Sequence, residues 1–385
     1  MNIAGAKWLK NPHAQAVFAL LEAAGYQALA VGGAVRNTLF GLPVSDIDIS
    51  TDALPEAVME LAKKAGLKAV PTGIEHGTVT VISDHEPFEI TTFRKDVHTD
   101  GRRAVVAFST DILDDAKRRD FTMNALYADA RGTIIDPLGG LPDLKARRLR
   151  FIENAFARIE EDYLRSLRYF RFYALYCDPM QGPDMEAMAA ISSHLDGLED
   201  LSRERIGAEM RKLLGAKDPA PALAMMSQTG VLARVLPGAD PQFMAPLIEI
   251  EADQPVRWLR RLAALGGEGV AERWRLSRAE ARTLADIKSA MQLPSLIEAG
   301  YRLGAASAID ALLVQCASIG TYAEPTVIEQ IEVASVAEFP LKAKDLMPRF
   351  SAGPALGAEL KRLESLWITS QFNLDKAALD KLVTS

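Results

Sequence analysis

The rhythm of hydrophobic and polar positions changes once along the chain. Up to about Pro142, short apolar runs are separated by turn residues: Gln27 to Val31 is apolar, Thr78 to Ile82 is β-branched, and Phe88 to Phe93 alternates. That pattern predicts strands interleaved with helices. From about Leu144 the spacing is nearly all helical; Glu160 to Leu175 places Tyr163, Leu167, Phe170 and Ala174 on one stripe, and Arg205 to Leu214 reads as another amphipathic helix. Gly and Pro cluster at Pro137 to Pro142, Asp178 to Pro183, Pro237 to Pro241 and Phe350 to Pro354, where breaks are expected. An N-terminal α/β head followed by a long helical array is therefore predicted, without a solenoid period or a low-complexity tract.

A chain of 385 residues exceeds one compact core, so two or three domains are expected. Apolar residues at 49% and charged residues at 25% match ordinary globular usage. No stretch approaches the roughly 18 uncharged apolar residues of a membrane helix, and Met1 to Pro12 lacks the tripartite layout of a signal peptide, which makes the cytoplasm the expected compartment. Cys177 and Cys316 are far apart and flanked by apolar residues, which argues against a disulfide framework or a zinc site. The net charge of −7 argues against a broadly polybasic nucleic-acid binder, so any such partner must be held by local patches. One lies between Lys145 and Arg171, where eight Lys/Arg meet four acids.

The chemistry concentrates after a glycine turn. Gly32 and Gly33 follow an apolar strand and precede a helical stretch, where backbone N–H groups can approach a phosphate, although such a pair alone is also an ordinary tight turn. In Ser45 to Ser50 the alternation predicts a strand with Asp46 and Asp48 on one face and Ile47 and Ile49 on the other. Strands are depleted in Asp, and two on one face repel unless a cation lies between them. Two Mg²⁺ ions about 3.5–4 Å apart would relieve that repulsion and serve phosphoryl transfer. Glu89, on the second strand of the expected hairpin, would complete the cluster; a solvated strand glutamate accounts for it nearly as well.

These residues resemble the class II tRNA nucleotidyltransferases (CCA-adding enzymes) and the related bacterial poly(A) polymerases, within the polymerase β-like nucleotidyltransferase superfamily. Besides the glycine-to-Asp-x-Asp segment, the likeness rests on E-I-T-T-F-R from Glu89, R-R-D-F-T-M-N-A-L from Arg118 and D-P-L-G-G-L-P-D-L from Asp136. It continues through E-D-Y-L-R-S-L-R-Y-F-R-F from Glu161 and E-R-I-G-A-E-M-R-K-L-L from Glu204. The resemblance covers the chain to about Leu214. It implies an α+β fold: a nucleotidyltransferase head with a mixed sheet (1–143), a helical neck carrying the base-reading helix (144–215), and a helical body and tail that bind tRNA (216–385). It further implies Asp46 and Asp48 as metal ligands with Glu89 beside them, Mg²⁺ as cofactor, CTP and ATP as substrates, and tRNA as partner. Nucleotide-binding roles carry over to Gly33, Arg36, Arg119, Arg168 and Arg171. Asp120 is expected to accept from a ribose hydroxyl. Asn37 departs from the pattern, which usually has Asp there; an amide would hold Arg36 more weakly than a carboxylate. No motif of an added phosphatase domain is visible.

Asp162 and Arg165 have a chemical reading of their own. Cytosine and adenine each present an amino donor beside a ring-nitrogen acceptor, and uracil and guanine present the reverse. A carboxylate and a guanidinium would therefore suit C and A and clash with U and G. Spaced three apart on the expected helix, the two residues are surface neighbours, and the alternative is an exposed ion pair worth a few tenths of a kcal/mol. The expected activity is addition of C and A to a tRNA 3′ end. Poly(A) polymerase, CC-only and A-only addition share most of these motifs. A catalytically silent RNA-binding protein is disfavoured because every metal-binding and base-reading position holds a competent residue.

Overall fold

The computed structural model describes residues 1–100, 103–251, 254–347 and 349–384. The chain divides into two compact units, Met1–Ala216 with Pro221–Val235, and Lys217–Ala220 with Leu236–Ser385.

In the first unit the strands are β1 (Leu29–Val31), β2 (Asp48–Thr51), β3 (Lys68–Gly73), β4 (Thr78–Ser83), β5 (Glu86–Thr92), β6 (Arg94–Asp100), β7 (Arg103–Phe108), β8 (Tyr127–Ala128) and β9 (Ile134–Ile135). Seven form one sheet in the order β3-β4-β5-β2-β1-β8-β9, and β6 and β7 form a separate ribbon. Only β2 and β5 run parallel; every other pair in the sheet is antiparallel, so the sheet is mixed as expected. The β4–β5 hairpin is tighter than its sequence suggested. Ser83 pairs with Glu86 across Asp84 and His85, both at positive φ (47° and 68°), the two-residue turn whose twist matches the strands. One side of the sheet is covered by α1 (Pro12–Glu22) and α3 (Pro55–Lys64), each with proline at its start, where the missing N–H has no helical partner to lose. Val17, Phe18, Leu21, Val58, Val79, Val81 and Ile90 are buried there.

The remaining helices of this unit include α2 (Gly33–Phe40), α4 (Ile112–Lys117), α5 (Leu141–Lys145), α6 (Ala155–Glu161), α7 (Leu164–Tyr176), α8 (Met185–Ser193) and α9 (Arg203–Leu214). An aromatic cluster anchors α7 on the head: the Phe121 ring lies 5.0 Å from Phe151 and 5.1 Å from Phe172. The D-P-L-G-G turn has a close-approach reason. Asp136 accepts from Gly140 N (2.7 Å) and Leu141 N (2.9 Å), and a Cβ on Gly140 would sit 2.2 Å from the Thr122 carbonyl oxygen.

In the second unit every regular element among the described residues is helical. Ala305–Ile319 is buried on most of its surface, as a central core helix must be. Beside it, Arg260 bridges Asp310 (2.8 Å) and Glu251 (2.7 Å), Arg257 also reaches Asp310 (2.8 Å), and Arg261 donates to Glu251 (2.6 Å). A second core gathers Leu346, Leu363, Trp367 and Leu379.

Candidate active site

The site begins where β1 ends. Gly32 adopts φ 62°, ψ −113°, a backbone open to glycine, and α2 starts at the next residue. A side chain at Gly32 would meet Arg119, whose Nη1 is 3.6 Å from where a Cβ would lie. One turn into α2, Arg36 is held entirely by neutral groups. It donates to Asn37 Oδ1 (2.9 Å from Nη2), to Tyr176 Oη (2.7 Å) and to Asn124 Oδ1, and its guanidinium carbon lies 4.2 Å from the Tyr176 ring centroid and 5.0 Å from that of Phe172. Asn37 thus fixes Arg36 through its amide oxygen, while its Nδ2 donates to Pro43 O at 2.9 Å.

The parallel pairing of β2 with β5 sets Asp48 opposite Glu89. The expected strand across Ser45 to Ser50 is shorter than its alternation implied: β2 begins at Asp48, and Asp46 lies in the preceding loop, accepting from Ser45 Oγ at 2.8 Å. Burial, followed by the like charge of Glu89, raises the Asp48 carboxyl above the ordinary aspartate range, against the pull of Arg119. Among the described residues no basic side chain forms an ion pair with Asp46, Asp48 or Glu89. Among the described residues no three His, Cys, Asp or Glu side chains gather closely enough to cage a metal alone. Adjacent carboxylates that leave further positions to substrate oxygens suit Mg²⁺, which keeps much of its shell for water and phosphate.

Beside the carboxylates, fully buried Asp115 orients Arg119 (2.9 Å), which also approaches Tyr127 Oη (3.1 Å) and Ser50 Oγ (3.3 Å). The Asp115 charge keeps the Arg119 pKa above that of a free arginine despite its burial. Asp120, expected to meet a ribose hydroxyl, already accepts from Arg168 Nε (2.7 Å), Asn124 Nδ2 (2.8 Å) and the Phe121 N–H (2.9 Å). Its carboxylate therefore aims Arg168, and these bonds hold it charged below the ordinary range against its burial.

The expected single helix through Glu160 to Leu175 is two helices. Glu161 ends α6, Asp162 is extended (φ −157°, ψ 104°), and α7 starts at Leu164 with its first N–H bonded to Asp162 Oδ1 (3.1 Å). The ion pair between Asp162 and Arg165 weighed above is not formed. Arg165 instead pairs with Glu161 and donates to the carbonyls of Arg158 (2.8 Å) and Arg118 (3.1 Å), while Asp162 Oδ2 accepts from Arg205 (2.6 Å).

These groups line one cavity of about 360 Å³. It brings together Gly33, Arg36, Asp48, Arg119, Asp120, Asp162, Arg165 and Arg168 of the expected residues. Asp46 and Glu89 are outside its lining, next to Asp48 in chain and in sheet. Arg171 is not part of its lining; it donates to Glu209 at 2.5 Å and ties α7 to α9. Sequence reasoning passed over Arg205, Asn124 and Phe172, all on the cavity wall. Each sits inside a quoted motif, which was the available signal.

Two family models match the chain: the poly A polymerase head domain over residues 28–150, and the probable RNA and SrmB-binding site of polymerase A over residues 183–243. Human CCA tRNA nucleotidyltransferase 1, mitochondrial, is 31% identical over 401 residues, covering 96% of this chain and 91% of its own. The CCA-adding enzyme of Lactococcus lactis subsp. lactis is 34% identical over 374 residues, covering 92% of each. This chain belongs to the CCA-adding tRNA nucleotidyltransferase family. The solved CCA-adding enzyme of Bacillus stearothermophilus in complex with CTP superposes with a TM-score of 0.73 at 30% identity over 93% of both chains. The Thermotoga maritima enzyme complexed with tRNA shares the fold at 19% identity and a TM-score of 0.68. No helix among the described residues is long and apolar enough to cross a membrane.

Proposed function

We propose that this protein adds C and A from CTP and ATP to the 3′ end of tRNA, choosing the base with its own side chains. The observation that carries the reading is that Asp162 and Arg165 share one cavity with Asp48 and the glycine turn. A nucleotide placed there meets a donor–acceptor pair at its base and the carboxylate strand at its phosphates. The Asp162 carboxylate accepts from the amino group of cytosine or adenine, and Arg165, already oriented by two backbone carbonyls, donates to the ring nitrogen. Arg119, Arg168 and the N-terminal N–H groups of α2 receive the triphosphate.

Asp46 and Asp48 would hold Mg²⁺, with Glu89 supporting Asp48 across the strand pair. Bound there, the metal would lower the cost of charge on the attacking and leaving oxygens. The RNA 3′-hydroxyl attacks the α-phosphorus, and pyrophosphate leaves. We assign 1–143 as the catalytic head, 144–215 as the base-reading neck and 216–385 as the tRNA-binding body and tail. The cytoplasm is the proposed compartment, to be checked by fractionation.

The test is incorporation of labelled CTP and ATP into tRNA ending at the discriminator base, against tailing of an unrelated RNA. Ordered addition of two C and one A to tRNA is expected. Runs of A on the unrelated RNA would replace this reading with poly(A) polymerase, and addition stopping after C, or accepting A alone, would replace it with a partial adder.

A further inference from the structure

Asp162 stands at a chain break rather than within a helix, so its backbone does not by itself fix where its carboxylate points. Its side chain is 30% exposed, and two contacts orient it. Oδ1 takes the Leu164 N–H at 3.1 Å, and Oδ2 takes a guanidinium N–H from Arg205 at 2.6 Å. Arg205 comes from α9, 43 residues along the chain, and its side chain is 41% exposed on the same cavity wall. The rest of α9 is fixed against α7 by the buried Arg171–Glu209 pair at 2.5 Å, four residues beyond Arg205. The guanidinium thus projects from a braced helix onto the acid assigned above to the base.

We propose that Arg205 is a specificity-positioning residue: by holding Oδ2 of Asp162, it keeps the carboxylate aimed as an acceptor for the amino group of C and A. This rests on the base-reading role of Asp162 proposed above. A carboxylate offers about four acceptor positions, and these two contacts occupy two, which leaves room for a base amino group on the same oxygens. Without Arg205 the carboxylate keeps only the Leu164 N–H and can swing about that one contact. Its preference for an amino donor over a carbonyl then fades, because discrimination by a hydrogen bond depends on the acceptor being fixed before the base arrives.

The experiment is single-nucleotide incorporation with each of the four NTPs at fixed Mg²⁺ and tRNA, for wild type, Arg205→Ala, Arg205→Lys, Asp162→Ala and the Asp162→Ala/Arg205→Ala double variant. For Arg205→Ala, the ratio of kcat/KM for CTP to that for UTP is expected to fall about 10-fold or more, the scale of one charge-assisted hydrogen bond, with the loss on KM more than on kcat. Arg205→Lys, which keeps the charge and can still donate to Asp162, should recover part of the ratio; it also keeps the test open should Arg205→Ala fail to fold. In the Asp162→Ala background, removing Arg205 should cost no further selectivity. An equal rise in KM for all four NTPs would mean that Arg205 grips phosphate or ribose and would overturn the inference, as would a wild-type ratio in both Arg205 variants. If Asp162→Ala itself keeps the preference for C and A, the base-reading role fails. If Asp162→Ala loses it and the Arg205 variants do not, the base-reading role stands and only the inference on Arg205 fails.

Discussion

Two clusters of charge in this molecule are built on opposite plans. In the helical unit, Arg260, Arg261, Glu251 and Asp310 are all but fully buried, and both acids are shared between arginines, so the cluster closes on itself. Around the cavity of the first unit, six arginines and three aspartates share an open wall, and Asp115 and Glu161 behind it hold Arg118, Arg119 and Arg165 in place. Buried charge persists where it is paired inside the protein, since an unpaired ion in the interior costs several kcal/mol. Arginines held at a cavity surface keep N–H donors turned to solvent, and a nucleotide triphosphate is an anion that can take them. On this comparison, loss of a charged group should unfold one cluster and disarm the other.

The largest effect is expected at the carboxylate strand. Asp48→Ala, and likewise Asp46→Ala, should reduce incorporation by about 1,000-fold or more while tRNA binding persists, because a metal ligand is lost and no buried partner is stranded. Turnover near wild type, with tRNA binding measured in parallel, would remove the metal assignment. In the closed cluster, Asp310→Ala should cost about 3–5 kcal/mol of stability by leaving Arg260 buried without its partner. Denaturant unfolding checks this, and an unchanged midpoint would erase the contrast between the clusters.

Glu89→Gln is expected to fall between these plans, lowering kcat about 10- to 100-fold with little change in melting temperature. An unchanged kcat would make Glu89 a solvated strand residue. The smallest effect concerns stability at the site itself. The Asp48 carboxyl is raised above the ordinary aspartate value of 3.8, so the folded state holds its proton more tightly than the unfolded state does. The group favours folding below pH 3.8 and loses that contribution as pH rises through its folded pKa. Asp48→Asn should therefore melt no lower than wild type at pH 7, about a degree or two higher once solvent screening is allowed for, and lose that margin in acid. Mg²⁺ should raise the wild-type melting temperature and leave that of Asp48→Asn nearly unmoved.

The strands β1, β2, β4 and β5 were legible because period-two alternation and turn residues are local signals, and the glycine turn follows from a few adjacent side chains; β3, β6, β7, β8 and β9 were not read. The break at Asp162 was hidden because the apolar stripe continues across it and no Gly or Pro marks it. Arg171 illustrates a different limit. Three-residue steps fall about 60° short of a full turn, so within α7 Arg171 is turned about 120° from Arg165, and there it meets Glu209. The pairing of Asp162 with Arg205 has no local signal, since it joins positions 43 residues apart. Spacing revealed which chemistry was present; which side chain holds which is decided by packing.

The neutral seat of Arg36 bears on how fast a nucleotide arrives. Amides, a phenol and two aromatic faces fix this guanidinium, and among the described residues no carboxylate lies within ion-pair distance of it. Its field is therefore not cancelled by a contacting carboxylate. Low-dielectric walls focus such a field outward, and at physiological ionic strength it reaches about 8 Å before salt screens it. A polyanion diffusing past the mouth is drawn in before it touches any group. Capture of CTP and ATP should thus slow as salt is raised, through the association rate rather than through the lifetime of the bound complex.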